Sequence, residues 1–332
     1  MNVVMDLAVR SAGGVISPPG DRARLSILMY HRVLRDADPL TGDVDARVFD
    51  VQMQALARYF NVLPLSEAAA RLGDGTLPAR AACVTFDDGY LDNVEVALPI
   101  LQRHRVPATF FIASGFLDGG RMFNDTVIEA VRRLEGPSID LHSIGLGTLP
   151  VADTAQRRGA IKTLLGHVKY LDPKQRQRVV DQLAHLVRGG LPDDLMMRSD
   201  QVRLLTGGGL EVGAHTVNHP ILASIEAQTA REEIATNKSV LEGLTGRRIG
   251  LFAYPNGVPD RDYQAVHVAM VRSLGFDAAV STAWGAAGPS ADRFQLPRFT
   301  PWDRNPSRFV FRLLHNAWTR GDRFATSKQN AA

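Results

Sequence analysis

The sequence predicts an α/β protein, a distorted (β/α)7-type barrel with a helical insertion. Short β-rich apolar runs alternate with helix-period segments along most of the chain. Such β-α units require parallel strands covered by helices. No glycine-rich dinucleotide fingerprint follows any strand, which favours a barrel of roughly seven strands over an open doubly wound sheet, the second choice.

Leu25–Tyr30 (LSILMY) reads as a buried strand, after which Phe49, Met53, Leu56 and Phe60 recur at helical spacing. Ser66 is placed to cap a short helix, SEAAARL. Strand Cys83–Phe86 runs into Asp87-Asp88-Gly89 and is followed by helix Leu91–His104 and strand Ala108–Ala113. From Phe116 to Ser199 the alternation breaks. Helical patterns at Thr126–Leu134, Thr154–Val168 and Pro173–Val187 are joined there by looser connections such as GPSIDLHSIGLGTLP. This stretch reads as a helical excursion from the barrel rim, too long for a loop. Alternation resumes with a helix near Gln201–Thr206, strand Leu210–Gly213, helix Glu226–Leu244, strand Gly250–Ala253 and helix Tyr263–Leu274. Strands Ala278–Ser281 and Gln295–Phe299 and a helix from Pro306 complete the pattern. The domain plan is an N-terminal extension over 1–24, a barrel over 25–300 containing the 116–199 insertion, and a basic helix and tail over 301–332.

Of the 332 residues 45% are hydrophobic and 22% charged, with a formal net charge of +3, which argues against disorder. The single cysteine, Cys83, excludes an intramolecular disulfide framework and a thiolate zinc site. No stretch approaches the ~18 apolar residues of a membrane span. Asp6 and Arg10 break the N-terminus before it forms a signal-peptide apolar core. A cytoplasmic enzyme is the expectation. Basic residues crowd the C-terminus: Arg293, Arg298, Arg304, Arg308, Arg312, Arg320, Arg323 and Lys328 face only Asp303 and Asp322. This is either a solvated helix face or a surface for an anionic partner.

Three segments place polar residues just after predicted strands, where the active face of an α/β barrel forms. In VTFDDGY, Asp88-Gly89 alone is a common turn, but the adjacent Asp87 and Asp88 repel each other unless a cation is near. In LEVGAHTVNHP, His215 and His219 are four apart, and Thr216 stands where a protease-type helical zinc motif has its glutamate. Asp88, His215 and His219 supply one carboxylate and two imidazoles, a set that suits Zn²⁺ with a position left open. Iron oxygenases use the same set, and the spare carboxylate Asp87 argues for hydrolysis instead. In FAYPNG, a Pro-Asn-Gly turn at Phe252–Gly257 can present N–H groups to a developing oxyanion, or be only a turn.

In this order, TFDDG, H-T-x-x-H and Y-P-x-G resemble the polysaccharide deacetylases, carbohydrate esterase family four, over about Leu25–Gly115 and Ser199–Phe299. The resemblance implies a (β/α)-barrel that removes an N-acyl group, usually acetyl, from an amino sugar. It implies Asp87 as general base on metal-held water, and Asp88, His215 and His219 as ligands of a divalent metal. Zn²⁺ leads that choice, with Co²⁺ or Ni²⁺ suiting the same site. The family's late Leu-x-His is missing, and His31 in LMYHRV follows the first strand instead. This is similar to the permuted branch of the family, where the acid histidine comes from that strand. The arginine that commonly opens the third motif is replaced by Ala253, and Arg298 in QLPRF is expected to reach Asp87 in its place. Tyr254, Asn256 and Trp284 are expected to contact substrate.

The expected partner is an amino-sugar polymer, oligomer or carrier-linked sugar, and a phosphate- or lipid-linked sugar would suit the basic tail. Arg304, Arg308 and Arg312 lie four apart, with Trp302, Phe309 and Trp318 among them. Such a helix can rest peripherally on an anionic membrane. Alternatives are a lipid-linked formamido-sugar deformylase, a hydrolase of small non-sugar amides, and a non-catalytic polysaccharide-binding protein. No nucleic-acid module is recognisable, so nucleic acid is not an expected partner.

Overall fold

The β-rich apolar runs become strands of one parallel sheet. In a computed structural model, residues 11, 13–319, 321 and 323–326 are described. Asp6 and Arg10 of the N-terminus and Arg320, Asp322 and Lys328 of the basic tail lie outside the described residues. In chain order the strands are β1 (Leu25–Tyr30), β2 (Val33–Leu34), β3 (Val44–Asp45), β4 (Asn61–Val62), β5 (Ala81–Phe86), β6 (Ala108–Ile112), β7 (Ser138–Leu141), β8 (Gly147–Pro150), β9 (Leu210–Ala214), β10 (Leu251–Ala253) and β11 (Ala278–Val280). The helices are α1 (Ala46–Tyr59), α2 (Leu65–Gly73), α3 (Leu98–His104), α4 (Phe123–Arg133), α5 (Thr154–Val168), α6 (Pro173–His185), α7 (Ser199–Val202), α8 (Ala227–Thr245), α9 (Ala265–Ser273) and α10 (Pro306–Trp318). The main sheet runs β1-β5-β6-β9-β10-β11, all parallel, with β4 added at the start of β5.

The sheet curls until its ends meet through a segment predicted as a strand, Gln295–Phe299. Leu296 bonds to Ala279 and Ser281 beside β11, and Phe299 bonds to Ile27 and Met29 of β1. Pro297 between them has no N–H to give, so the contact is two isolated bridges and not a ladder. Because side chains alternate along a strand, the sheet has two buried faces. Leu25, Ile27, Ala81, Cys83, Phe111, Leu251, Val280 and Leu296 form one buried cluster. Leu28, Tyr30, Val84, Phe86, Phe110, Ile112 and Phe252 form the other, together with buried residues of α1, α8 and α10. Gly213 fits the interior for a definite reason: a Cβ there would lie 2.4 Å from the Phe111 ring.

Some local expectations are corrected. Ser66 lies inside α2, not at its cap; Glu211 from β9 accepts from the Leu65 N–H (2.9 Å) and from Ser66. The helix after Asp92 opens with a π-helical turn at Asn93–Ala97. The Pro- and Gly-punctuated stretch inside the insertion is an antiparallel hairpin, β7–β8. The insertion packs around its own buried cluster, including Val127, Val131, Ile139, Leu164, Val180 and Leu183. Its helices are capped where the sequence offers a carboxylate: Asp153 accepts from the Gln156 N–H of α5, and Asp172 caps α6. No helix among the described residues is long and apolar enough to cross a membrane.

Candidate active site

Alternation along the strands decides which side chains reach the mouth of the barrel. Met29 and His31 continue the inward series of Leu25 and Ile27, and Thr85 and Asp87 continue that of Ala81 and Cys83. His215 follows β9, and Asn256 and Thr282 follow β10 and β11. Met29, His31, Asp87, Asp88, His215, His219, Asn256 and Thr282 line one cavity of about 500 Å³, within the usual range for a small-molecule site.

Asp87 is 2% exposed and gripped by a fully buried arginine. Arg298 donates from Nη1 to Asp87 Oδ1 and from Nη2 to Oδ2, both at 2.7 Å. Two further donors go to Thr85 Oγ1 (3.1 Å) and the Ser281 carbonyl (3.0 Å). Burial alone would raise the Asp87 pKa, but the charge and hydrogen bonds of Arg298, together with the nearby His215 and His31, hold the carboxyl below its ordinary value. Asp87 is therefore an ionised, oriented carboxylate with lone pairs left toward the cavity.

Asp88, one residue on, is in the opposite condition. Its Oδ1 lies 3.4 Å from Nε2 of both His215 and His219, and it is buried without a hydrogen-bond partner. Candidate ligand atoms of the three residues all lie within 4.8 Å of one another. The His215 Nδ1–H group donates to the Ala253 carbonyl at 2.8 Å, which leaves Nε2 as a lone pair facing the carboxylate. Burial pulls His219 down to about 3, so its imidazole is neutral at neutral pH. Two imidazole lone pairs and a carboxylate oxygen converging in a buried space repel one another unless a cation joins them. The residues fit a divalent metal, and the backbone acceptor on His215 is the usual outer partner of a metal-binding histidine.

Buried polar side chains set these loops. The Asn237 Oδ1 accepts from the His215 N–H (2.9 Å), while its Nδ2 donates to the Ile112 carbonyl (3.0 Å) and Ser114 Oγ (2.9 Å). Glu233 accepts from the N–H groups of Val217 (2.9 Å) and Asn218 (2.8 Å). Asn93 Nδ2 donates to the His31 carbonyl at 2.9 Å. Of the eight non-glycine residues with positive φ among those described, four lie here: Asp88 (78°), Thr216 (65°), His219 (50°) and Asn256 (59°). Backbone held in this region costs of order 1–3 kcal/mol per residue, and such strain concentrates at functional sites.

Tyr254 and Trp284, expected to contact substrate, sit elsewhere. Tyr254 is buried behind the site, stacked on Tyr263 at 3.9 Å, with its hydroxyl donating to the Phe294 carbonyl. Trp284 stands outside the cavity lining, 40% exposed, edge-on to Phe299 and 5.4 Å from Trp302. Asn256 does line the cavity, and its Nδ2 is buried without a partner. Sequence reasoning missed the opposite wall: Met122, Phe123, Asn124, Leu165, Gly166 and Lys169, all from the insertion. Only the three-dimensional packing of α4 and α5 over the barrel mouth could have identified them.

Comparison with known proteins gives a family match and a shared fold. The sequence model of the polysaccharide deacetylase family matches residues 74–279, more than half of the chain. The Bacillus subtilis protein YxkH is 21% identical over 278 residues, 83% of this chain and 71% of that protein. The Streptococcus pyogenes deacetylase PplD, solved in complex with acetate, has a TM-score of 0.55 at 20% identity, covering 89% of this chain and 99% of that one. IcaB from Ammonifex degensii has a TM-score of 0.57 at 19% identity, with 91% and 99% covered. The solved structures establish the shared fold, a curled parallel sheet with flanking helices.

Proposed function

Because this chain belongs to the polysaccharide deacetylase family, we propose that it is a hydrolase of linear amide bonds that removes an N-acetyl group from an amino sugar with the help of a divalent metal. The observation that carries the reading is the pairing of two neighbouring carboxylates in opposite states. Asp87 is paired bidentately with Arg298, while Asp88 is left unpaired between two histidines in the same cavity.

Asp88, His215 and His219 would hold the metal, Zn²⁺ by ligand type, with Co²⁺ or Ni²⁺ suiting the same donors. When bound there, such an ion polarises the amide carbonyl and makes water easier to deprotonate. Asp87 takes the proton of the attacking water, a base contribution of roughly 10²–10⁴-fold. Arg298 keeps that carboxylate ionised and aimed. Asn256 donates its free amide N–H to the carbonyl oxygen as charge develops, a contact of the kind worth about 2.7–4 kcal/mol. His31 lines the same cavity and delivers a proton to the nitrogen as the C–N bond breaks, so that acetate and the amine leave. Met29 and Leu165 give the cavity apolar surface against the acyl methyl and the sugar face.

The C-terminal cations offer less to a membrane or a carrier phosphate than their spacing suggests. Arg304 pairs with Asp45 at 3.2 Å and Arg312 pairs with Asp303. The test is acetate release from N-acetylhexosamine oligomers and from nucleotide- and lipid-linked amino sugars, with formyl analogues in the panel. Release by the native protein and its loss in Asp87→Asn support the reading; no release from any substrate by metal-loaded protein contradicts it.

A further inference from the structure

The catalytic cavity continues into a second one of about 490 Å³, which shares His31, Asp88, Asn124 and Leu165 with it. Helix α5 runs along both. Arg158, Lys162, Leu165 and Lys169 follow one another by four, three and four residues, so they share a single helical face. Arg158 and Lys162 line the second cavity, Lys169 lines the first, and Leu165 lines both. At 1.5 Å per residue this face extends over roughly 16 Å, longer than one sugar ring.

Three other cations of the insertion are taken up by partners within the protein. Arg132 pairs with Asp38 and Glu129, Arg133 pairs with Glu129, and Arg157 donates to carbonyls of α4 and its end. Arg158 gives its Nε–H to the Pro39 carbonyl. Neither Arg158, Lys162 nor Lys169 has a carboxylate within ion-pair distance among the described residues. Asp262 acts on Lys169 only at longer range, and half-burial of Lys169 makes its charge harder to hold without a counterion. Three acids also line the second cavity: Asp88 at its border with the catalytic one, Asp125, held by the Tyr90 hydroxyl at 3.1 Å, and Asp43. Apart from Asp88, which faces His215 and His219, the three cations without an ion pair along this face meet one acid with no bonded partner, Asp43.

We propose that this face of α5 is an anion subsite, taking a phosphoryl or carboxylate group carried on the same saccharide as the N-acetyl group, beyond the reacting amide. It rests on the deacetylase reading and assigns the substrate class within it: an anionic saccharide in preference to a neutral one. A cationic wall also disfavours sugars already deacetylated nearby, whose amines are protonated.

The test measures equilibrium binding to the full-length Asp87→Asn protein loaded with Zn²⁺. The probes are a neutral N-acetylhexosamine tetramer, the same tetramer with one O-phosphoryl group, and one with a hexuronic acid at its end. At low salt at least one anionic tetramer should bind tenfold or more tighter than the neutral one, and the better of the two names the anion. The advantage should shrink in 0.5 M NaCl, vanish in a Lys162→Gln/Lys169→Gln background, and persist with Lys169→Arg. Equal affinities, no binding of any tetramer, or an advantage that survives the double substitution overturns the subsite. Acetate release from the three tetramers by the native protein is read separately; its absence from all of them counts against the deacetylase reading, while the charge dependence of binding decides the subsite.

Discussion

On the barrel side of the cleft Asp87, Asp88 and His215 are at most 4% exposed, and each is fixed by a second buried group or by its neighbours in the proposed metal-ligand set. On the insertion side Lys162 is exposed, Lys169 is half-buried, and neither has an ion-pair partner among the described residues. The first wall holds charge where water is excluded, so its groups act strongly and lose much when disturbed. The second keeps charge near solvent, where the proposed subsite would select more than it catalyses. Under the proposed function, this division assigns chemistry to the strand ends and selectivity to the insertion.

Four substitutions or conditions sharpen or break that contrast. The largest effect should come from Asp87→Asn, which leaves the three proposed metal ligands in place. Its kcat should fall by about 10²–10⁴-fold with unchanged metal content, whereas Leu165→Ala on the facing wall should act mainly on KM. A metal-replete Asp87→Asn enzyme with normal kcat would move the base elsewhere. Next is Arg298→Met, which strands a buried carboxylate and should destabilise the protein by about 3–5 kcal/mol in denaturant titration. The insertion's Arg132→Met, removing a partly exposed pair, should cost no more than about 1 kcal/mol. Similar losses in the two would erase the distinction.

Gly89→Ala is third. Gly89 has φ of 92°, and a Cβ there would meet Ile112 Cγ2 at 3.0 Å. The cost should be about 1–3 kcal/mol, with weakened metal affinity because the Asp88 loop moves. The smallest effect is acidic. Burial opposes ionisation of Asp38, but Arg132 and the Leu40 N–H overcome it and lower its pKa. A depressed carboxyl pKa stabilises the fold above the unfolded value, near ~3.9, and that gain is lost as pH falls through the folded value. Hydrogen exchange below about pH 4 should thus quicken in Phe123–Arg133 before the barrel strands. Uniform quickening would show that Asp38 does not tie α4 to the rim.

What the sequence displayed depended on how local each cause is. The Asp87-Asp88-Gly89 and His215–His219 motifs are local, and they stand at strand ends that hydrophobic runs mark clearly. Arg298 was expected beside Asp87 because the position of Ala253 left the base without an arginine; the structure brings the two within 2.7 Å. Tyr254 looked like a cleft residue from its motif, but Tyr263, supplied from a segment beyond the turn, draws it into the core. The β7–β8 hairpin escaped notice because its strands are short and edged by Gly and Pro, which read as loop. Lys162 and Lys169 share a helical face in the sequence alone. Their place over the catalytic cavity comes from tertiary packing of the insertion and has no local signal.

The central claim, that Asp88, His215 and His219 jointly hold one divalent ion, is tested most directly by titrating metal-stripped protein with Zn²⁺ under calorimetry and native mass spectrometry. One ion per chain should bind in the native protein and in Asp87→Asn, and stoichiometric binding should disappear in Asp88→Ala and His215→Ala. Failure of the native protein to bind, or undiminished uptake by the Asp88→Ala and His215→Ala proteins, would contradict the account.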